Sequence, residues 1–300
     1  MFDYRYHALS LAAVLLALAV GVVIGVAIGD SNLVSSAKSG IVHDLSSEVS
    51  SAQHQADQLR AQLNGEEAFT NDLYPIAIHG LLSGRNVGLV FLGSPSNRVN
   101  GLVRNAVTQA GGDLVNVVAV REPLNMPGLA RAAAGTHFAA LGAGASPAGR
   151  QLVGRFGGIV GRQLVSGGQL VGRELLSRER GPLLSAFDGQ LGRLAGLVVV
   201  RAQPPGMTPQ QLEASGAFES GLLGGAATAG VPTVGVELSS TQPSQVPWYQ
   251  AQNISSVDDL DAVAGQAALV YALTGSRGAY GMKPTADSLL PNVVGASTQP

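Results

Sequence analysis

The 300 residues carry 18 lysines and arginines against 20 aspartates and glutamates, a formal net charge of −2. So near-neutral a balance gives no bulk electrostatic case for a nucleic-acid partner, and an aromatic content of 5% leaves few stacking platforms for bases or sugars. No cysteine is present, which excludes disulfides and thiolate ligands, so a chain of this size must rely on an ordinary apolar core.

The first predicted element is a membrane span. Ala8 to Gly29 carries no charge and one hydroxyl, Ser10. As an α-helix it is roughly 30 Å long, about the thickness of a bilayer's hydrocarbon core. The leading end, residues 1–7, holds Arg5 and His7 with Tyr4 and Tyr6 at interface depth. The positive-inside rule then keeps the N-terminus cytoplasmic and exports the bulk of the chain. Ala27-Ile28-Gly29 also reads as a signal-peptide cleavage site, but the apolar run is longer than a usual signal core and its basic leader is thin. A retained anchor is the favoured reading. Gly21, Gly25 and Gly29 recur every fourth residue, a face on which two membrane helices can pack closely.

A second helix is predicted from Asn32 to Asn64, with Gly65 as its stop. Val42, Leu45, Val49, Ala52, Ala56, Leu59 and Leu63 alternate spacings of three and four, the seam of a coiled coil about three heptads long. The predicted stalk, residues 30–65, would be weak alone; a shared membrane anchor raises the effective concentration of two copies and favours a homodimer. Packing of this helix on its own globular domain is the alternative.

From Glu66 the pattern becomes that of an exported α/β domain, residues 66–287, followed by a loose tail, 288–300. Glu67 to Ser83 reads as helical with Pro75 interrupting it. Asn86 to Leu92 is a buried-strand run, Arg98 to Ala110 a helix, and Asp113 to Val120 a second strand. His137 to Leu141 reads as a short third strand. Between Pro147 and Arg180, Gln-Leu-Val recurs at Gln151, Gln163 and Gln169 among Gly-Arg steps. Arg155, Arg162 and Arg173 line one side there if the helix is continuous, which Gly167-Gly168 argues against. Such a row is usually a solvated face, the alternative being contact with anionic headgroups or an acidic envelope polymer. Arg193 to Arg201 and Pro232 to Leu238 read as strands, Thr208 to Ala229 as a helix. Ser256 to Leu273 reads as a last long helix, with Ser256 as N-cap and Asp258 and Asp259 in its first turn. The alternation predicts a doubly wound, mostly parallel sheet with helices on both faces.

No familiar active-site pattern is present. The turn Gly93-Ser94-Pro95-Ser96 lacks the dinucleotide glycine fingerprint and the phosphate-loop lysine, and Ser94 has no nucleophile-elbow context. His7, His43, His54, His79 and His137 are scattered, and Met126, Met207 and Met282 form no thioether cluster for copper(I). Asp258, Asp259 and Asp261 read more cheaply as helix-start residues than as a carboxylate site. No catalytic, cofactor-binding or metal residue is assigned. A metal site assembled by folding or between chains stays open, as does a ligand pocket formed by the turns at Gly93 to Asn97 and after Arg201.

Two end segments carry a family resemblance. Phe2-Asp3-Tyr4-Arg5-Tyr6-His7, then Leu9 to Val14 and the Gly21/Gly25 run, resembles the opening of the MctB family of actinobacterial copper-transport proteins. Ser256-Val257-Asp258 through Leu273, Gly278 to Lys283, and Leu290-Pro291 resemble that family's C-terminal part. The resemblance implies a membrane protein that keeps intracellular copper low, with copper as a transported or sensed ion, and a link to cell-envelope assembly partners. One apolar helix cannot line a copper pore by itself, and the strands lack the lipid-facing alternation of an outer-membrane barrel. The sequence therefore favours an accessory or assembly component of copper homeostasis. A coiled-coil scaffold for envelope assembly and an exported ligand-binding or enzyme domain are the alternatives.

Overall fold

The computed structural model describes residues 4–29, 31–135, 138–143, 146–167 and 181–292. The chain divides into two compact units, Met1–Ala68 and Phe69–Pro300. In the first, helix α1 (Tyr4–Ile28) is apolar on every side, and its segment Tyr6–Ala27 has a mean hydropathy of 2.8 with none of it buried. A helix of this kind is long and apolar enough to cross a membrane.

Helix α2 (Ser31–Ile78) overrides two sequence expectations: it runs through Gly65, the expected stop, and contains Pro75. A helix-interior glycine costs only about 1 kcal/mol relative to alanine. The final turns recover more than that in the second unit, where Tyr74 and Ile78 enter the core and Tyr74 Oη donates to Gln266 Oε1 at 3.5 Å.

The second unit is built on one sheet. Its strands are β1 (Asn86–Gly93), β2 (Asp113–Val120), β3 (Leu184–Gly189), β4 (Gly196–Ala202), β5 (Thr233–Val236), β6 (Ser255–Val257) and β7 (Ala279–Tyr280). They lie in the order β3-β2-β1-β4-β5-β6-β7, all neighbours parallel except β3 against β2. Alternate side chains of the inner strands enter two cores. Leu89 and Phe91 face one side, with α3 (Asn97–Gln109), α8 (Val263–Leu273) and the end of α2. Val90 and Leu92 face the other, with α4 (Met126–Ala132), α5 (Pro147–Ser166) and α6 (Pro209–Thr228). Burial on both faces explains why these strands are continuous apolar runs. A short helix, α7 (Val246–Ala251), seats the fully buried Tyr249.

Helices α5 and α6 meet backbone to backbone. A Cβ on Gly161 would lie 2.0 Å from the Leu222 carbonyl oxygen, on Gly221 2.0 Å from that of Gly154, and on Gly225 2.0 Å from that of Gly158. The Gly-Arg steps therefore serve helix stacking: the glycines form the contact while Arg155 and Arg162 stay exposed. Helix α5 ends at Gly167, in the left-handed region, and Arg173 lies outside the described residues, as does Gln169.

Two expected elements are corrected. Residues 139–143 form a 3₁₀ turn (Ala139–Ala143) in place of the expected strand, because Phe138 and Leu141 are both buried at a spacing of three; His137 lies outside the described residues. The last helix starts at Val263, with Ala262 at its N-cap, and Ser255–Val257 instead pairs as β6 between β5 and β7. Ser256 is thus a strand residue, and Asp258 and Asp259 precede the helix. Ser288, the first residue of the expected tail, bridges to Tyr280.

Candidate functional site

A doubly wound sheet offers its ligand crevice at the carboxyl ends of the strands where the order reverses, here between β1 and β4. In this chain the two turns close on each other. Ser94 N donates to the Ala202 carbonyl at 3.2 Å, and Gly93, at φ +114°, packs so tightly that a Cβ would lie 2.0 Å from that same oxygen. One strand over, the Tyr249 ring lies against Gly235. Its hydroxyl accepts from Arg201 N at 2.9 Å and reaches the Val236 carbonyl at 3.2 Å, while burial pushes its ionisation up.

The charged groups at this edge are matched to one another. The side chain of Arg201, at the end of β4, donates from Nε to both Glu219 oxygens, at 3.1 and 3.4 Å, and from Nη1 to Gln245 Oε1 at 2.8 Å, with the guanidinium 4.6 Å from the Trp248 ring centre. Gln203 Nε2 donates to Glu219 Oε1 at 3.0 Å. Glu219, on α6, is fully buried, and Glu122 follows β2 beside it. Both side-chain oxygens of Glu122 are buried without a hydrogen-bond partner among the described residues, which disfavours its charged form. Burial and then the Glu219 charge raise its pKa to about 9, with Arg201 and Gln203 pulling the other way.

A second network lies past β5, β6 and β7. Lys283 Nζ donates to Glu237 Oε1 at 2.6 Å and to the carbonyls of Leu238 and Thr241. Asp258 accepts from the backbone N–H groups of Met282 and Lys283. Asp258 and Asp259 are thus not helix-dipole residues: the first ties down the β7 turn, and the second is buried, with its pKa raised to about 6 by burial and then by the Asp258 charge. For Asp261, hydrogen bonds from Ser239 and the nearby Arg98 outweigh burial, which acts the other way, and lower its pKa.

Neither network was singled out from sequence. A signal existed for the first: Glu219 is a lone carboxylate between Phe218 and Leu222 on the buried face of an apolar helix. The expected packing residues lie on α1, at Gly29 just past its end, and on α2. Nothing stands within 4 Å of a Cβ at Gly21 or Gly25, whereas one on Gly29 would meet the Gly25 carbonyl at 3.0 Å. Leu45, Val49, Leu59 and Leu63 are about half exposed or more, Ala52 is exposed and Ala56 half-buried; the Val42 side chain lies outside the description. His43, His54 and His79 are exposed, as is Met282. Among the described residues no three His, Cys, Asp or Glu side chains are grouped to hold a metal ion.

The family model described as copper transport outer membrane protein, MctB, matches residues 1–291. The chain belongs to the MctB family. It is 26% identical over 297 residues to proteins named copper transporter MctB from Mycobacterium tuberculosis (strain ATCC 25618 / H37Rv) and Mycobacterium bovis (strain ATCC BAA-935 / AF2122/97), across 91% of this chain and 92% of each relative. At the level of the family this connects the chain with copper transport and homeostasis. Two of the C-terminal segments that resemble MctB in sequence meet in space, through Asp258 and the Met282-Lys283 backbone.

Proposed function

We propose that this MctB-family chain is a membrane-anchored accessory or assembly component of copper homeostasis. It would act as a homodimer, with its N-terminus cytoplasmic and its α/β unit on the extracytoplasmic side. The observation that carries the reading is that, among the described residues, one helix, Tyr6–Ala27, is long and apolar enough to span a membrane. One such helix from each chain, two in a dimer, is too few to enclose a polar path for an ion. The sheet offers no barrel wall either, because it is open-edged and covered by helices on both faces. Self-association is supported by the open glycine face of α1 and the exposed apolar seam of α2.

The reading is non-catalytic: at the crevice where this topology places its ligand, the Ser94–Ala202 contact and the Arg201 network engage the chain's own groups with one another. One observation favours an envelope scaffold as the second reading. Helix α2, 48 residues and so roughly 70 Å long, offers side chains on its outer surface to a partner helix. The test is cell-associated copper under mild copper load in a deletion strain, with and without the gene restored. A rise on deletion, reversed by restoration, is expected. Unchanged copper would overturn the homeostasis reading and make the scaffold the working account.

A further inference from the structure

At the carboxyl edge of the sheet the described charged side chains pair with one another; at the amino edge the sheet borders open space. A cavity of about 370 Å³ opens below the first residues of β5, β6 and β7, within the size range of small-molecule sites. Its walls include Thr233, Asn253, Ser255, Ser276, Arg277 and Asp287.

Two features give it a charge pattern. Helices α6 and α8 both end at its wall, contributing Ala227 and Ala272 from their last turns, so the negative ends of two helix dipoles converge there. Asp287 adds a carboxylate: Oδ2 accepts from Ala279 N at 3.0 Å, and Oδ1 has no partner among the described residues. This end of the cavity favours a cationic group with protons to donate. Arg277 brings the opposite charge. It is exposed and has no carboxylate partner among the described residues, and a guanidinium is shaped to take a carboxylate in two parallel hydrogen bonds. The hydroxyls of Thr233 and Ser255 donate to the Val231 and Ser276 carbonyls, which keeps them as acceptors toward the cavity.

We propose that this cavity binds a small zwitterion of the α-amino-acid class, its ammonium directed at Asp287 and the carbonyl ends of α6 and α8, its carboxylate at Arg277. The site is independent of the copper reading, and its ligand is the free amino acid.

The test uses the full chain in detergent micelles. Thermal unfolding is followed with each of the common L-amino acids at about 10 mM, and with n-propylamine and propionate as half-molecules. At least one amino acid is expected to raise the melting temperature, while neither half-molecule does. Isothermal titration of that amino acid then reads two variants. Arg277→Ala, an exposed position, is expected to weaken binding about tenfold or more, the loss of one charge-assisted contact. Ala227→Leu, an exposed helix position at the wall, is expected to block it by filling space. The proposal is overturned if no amino acid shifts the melting temperature, if n-propylamine binds as well as the amino acid, or if both variants bind like the parent.

Discussion

In α5 and α6, glycines four residues apart are filled by the neighbouring helix; in α1, glycines at the same spacing face open space. Gly161 and Gly221 each bring a partner carbonyl to within 2.0 Å of where a Cβ would stand, whereas Gly21 and Gly25 have nothing within 4 Å. The same device is used up inside the folded unit and left unused on the apolar N-terminal helix. A similar contrast holds for apolar side chains. Phe156, Phe218 and Leu222 are fully buried between α5, α6 and the sheet, while Leu59 and Leu63 of α2 are 59% and 57% exposed. Small or apolar residues placed with helical regularity and left uncovered mark surfaces that a further chain can complete.

The largest effect expected is on the filled side of this comparison. Gly161→Ala drives a methyl into backbone, which has no rotamer to escape by, so α5 and α6 must part at a cost of about 3 kcal/mol. Chemical unfolding of the folded unit's transition reads it. A loss below about 0.5 kcal/mol, the range of surface substitutions, would mean that the close approach is not holding the two helices.

A smaller effect separates buried from exposed charge. With its pKa at about 9, above the ordinary carboxyl range near 4.5, Glu122 keeps in the folded state a proton that the unfolded chain releases. Stability therefore falls as pH rises from about 4.5 towards about 9. Glu122→Gln keeps the shape, removes the proton exchange and is expected to flatten that decline. Asp57→Asn, on the exposed surface of α2, is expected to leave it unchanged. Denaturation midpoints across this pH range check both, and parallel curves for the parent and Glu122→Gln would contradict a proton retained on Glu122.

The sheet was legible where its strands are long apolar runs, as in β1, β2 and β4, because burial on both faces leaves an unbroken pattern. It was not legible where pairing is decided by other parts of the chain. In β3 only Leu184 is buried, β7 has two residues, and Ser255–Val257 looks like a helix start until the β7 turn supplies donors for Asp258. Gly65 failed as a stop because the anchoring side chains, Tyr74 and Ile78, come 9 and 13 residues later. The Arg201–Glu219–Glu122 network joins three separate elements, and no local spacing announces such a meeting. The glycine spacing of α1 and the heptad spacing of α2 are each a property of one helix, so the sequence alone states them; whether a second chain covers them is for experiment.

The most direct test of the account is disulfide crosslinking in membranes, which the absence of native cysteine makes clean. Leu59→Cys sits on the seam and Ala61→Cys on the opposite side of the same helix turn. Two seam cysteines of a dimer come within the roughly 4.4–6.8 Å Cα separation a disulfide needs, and two outward-facing ones do not. A covalent dimer is predicted for Leu59→Cys and not for Ala61→Cys, with the yield falling when Gly21 and Gly25 are both changed to Leu. Equal yields at the two positions, or none at Leu59→Cys, would contradict self-association through these helices.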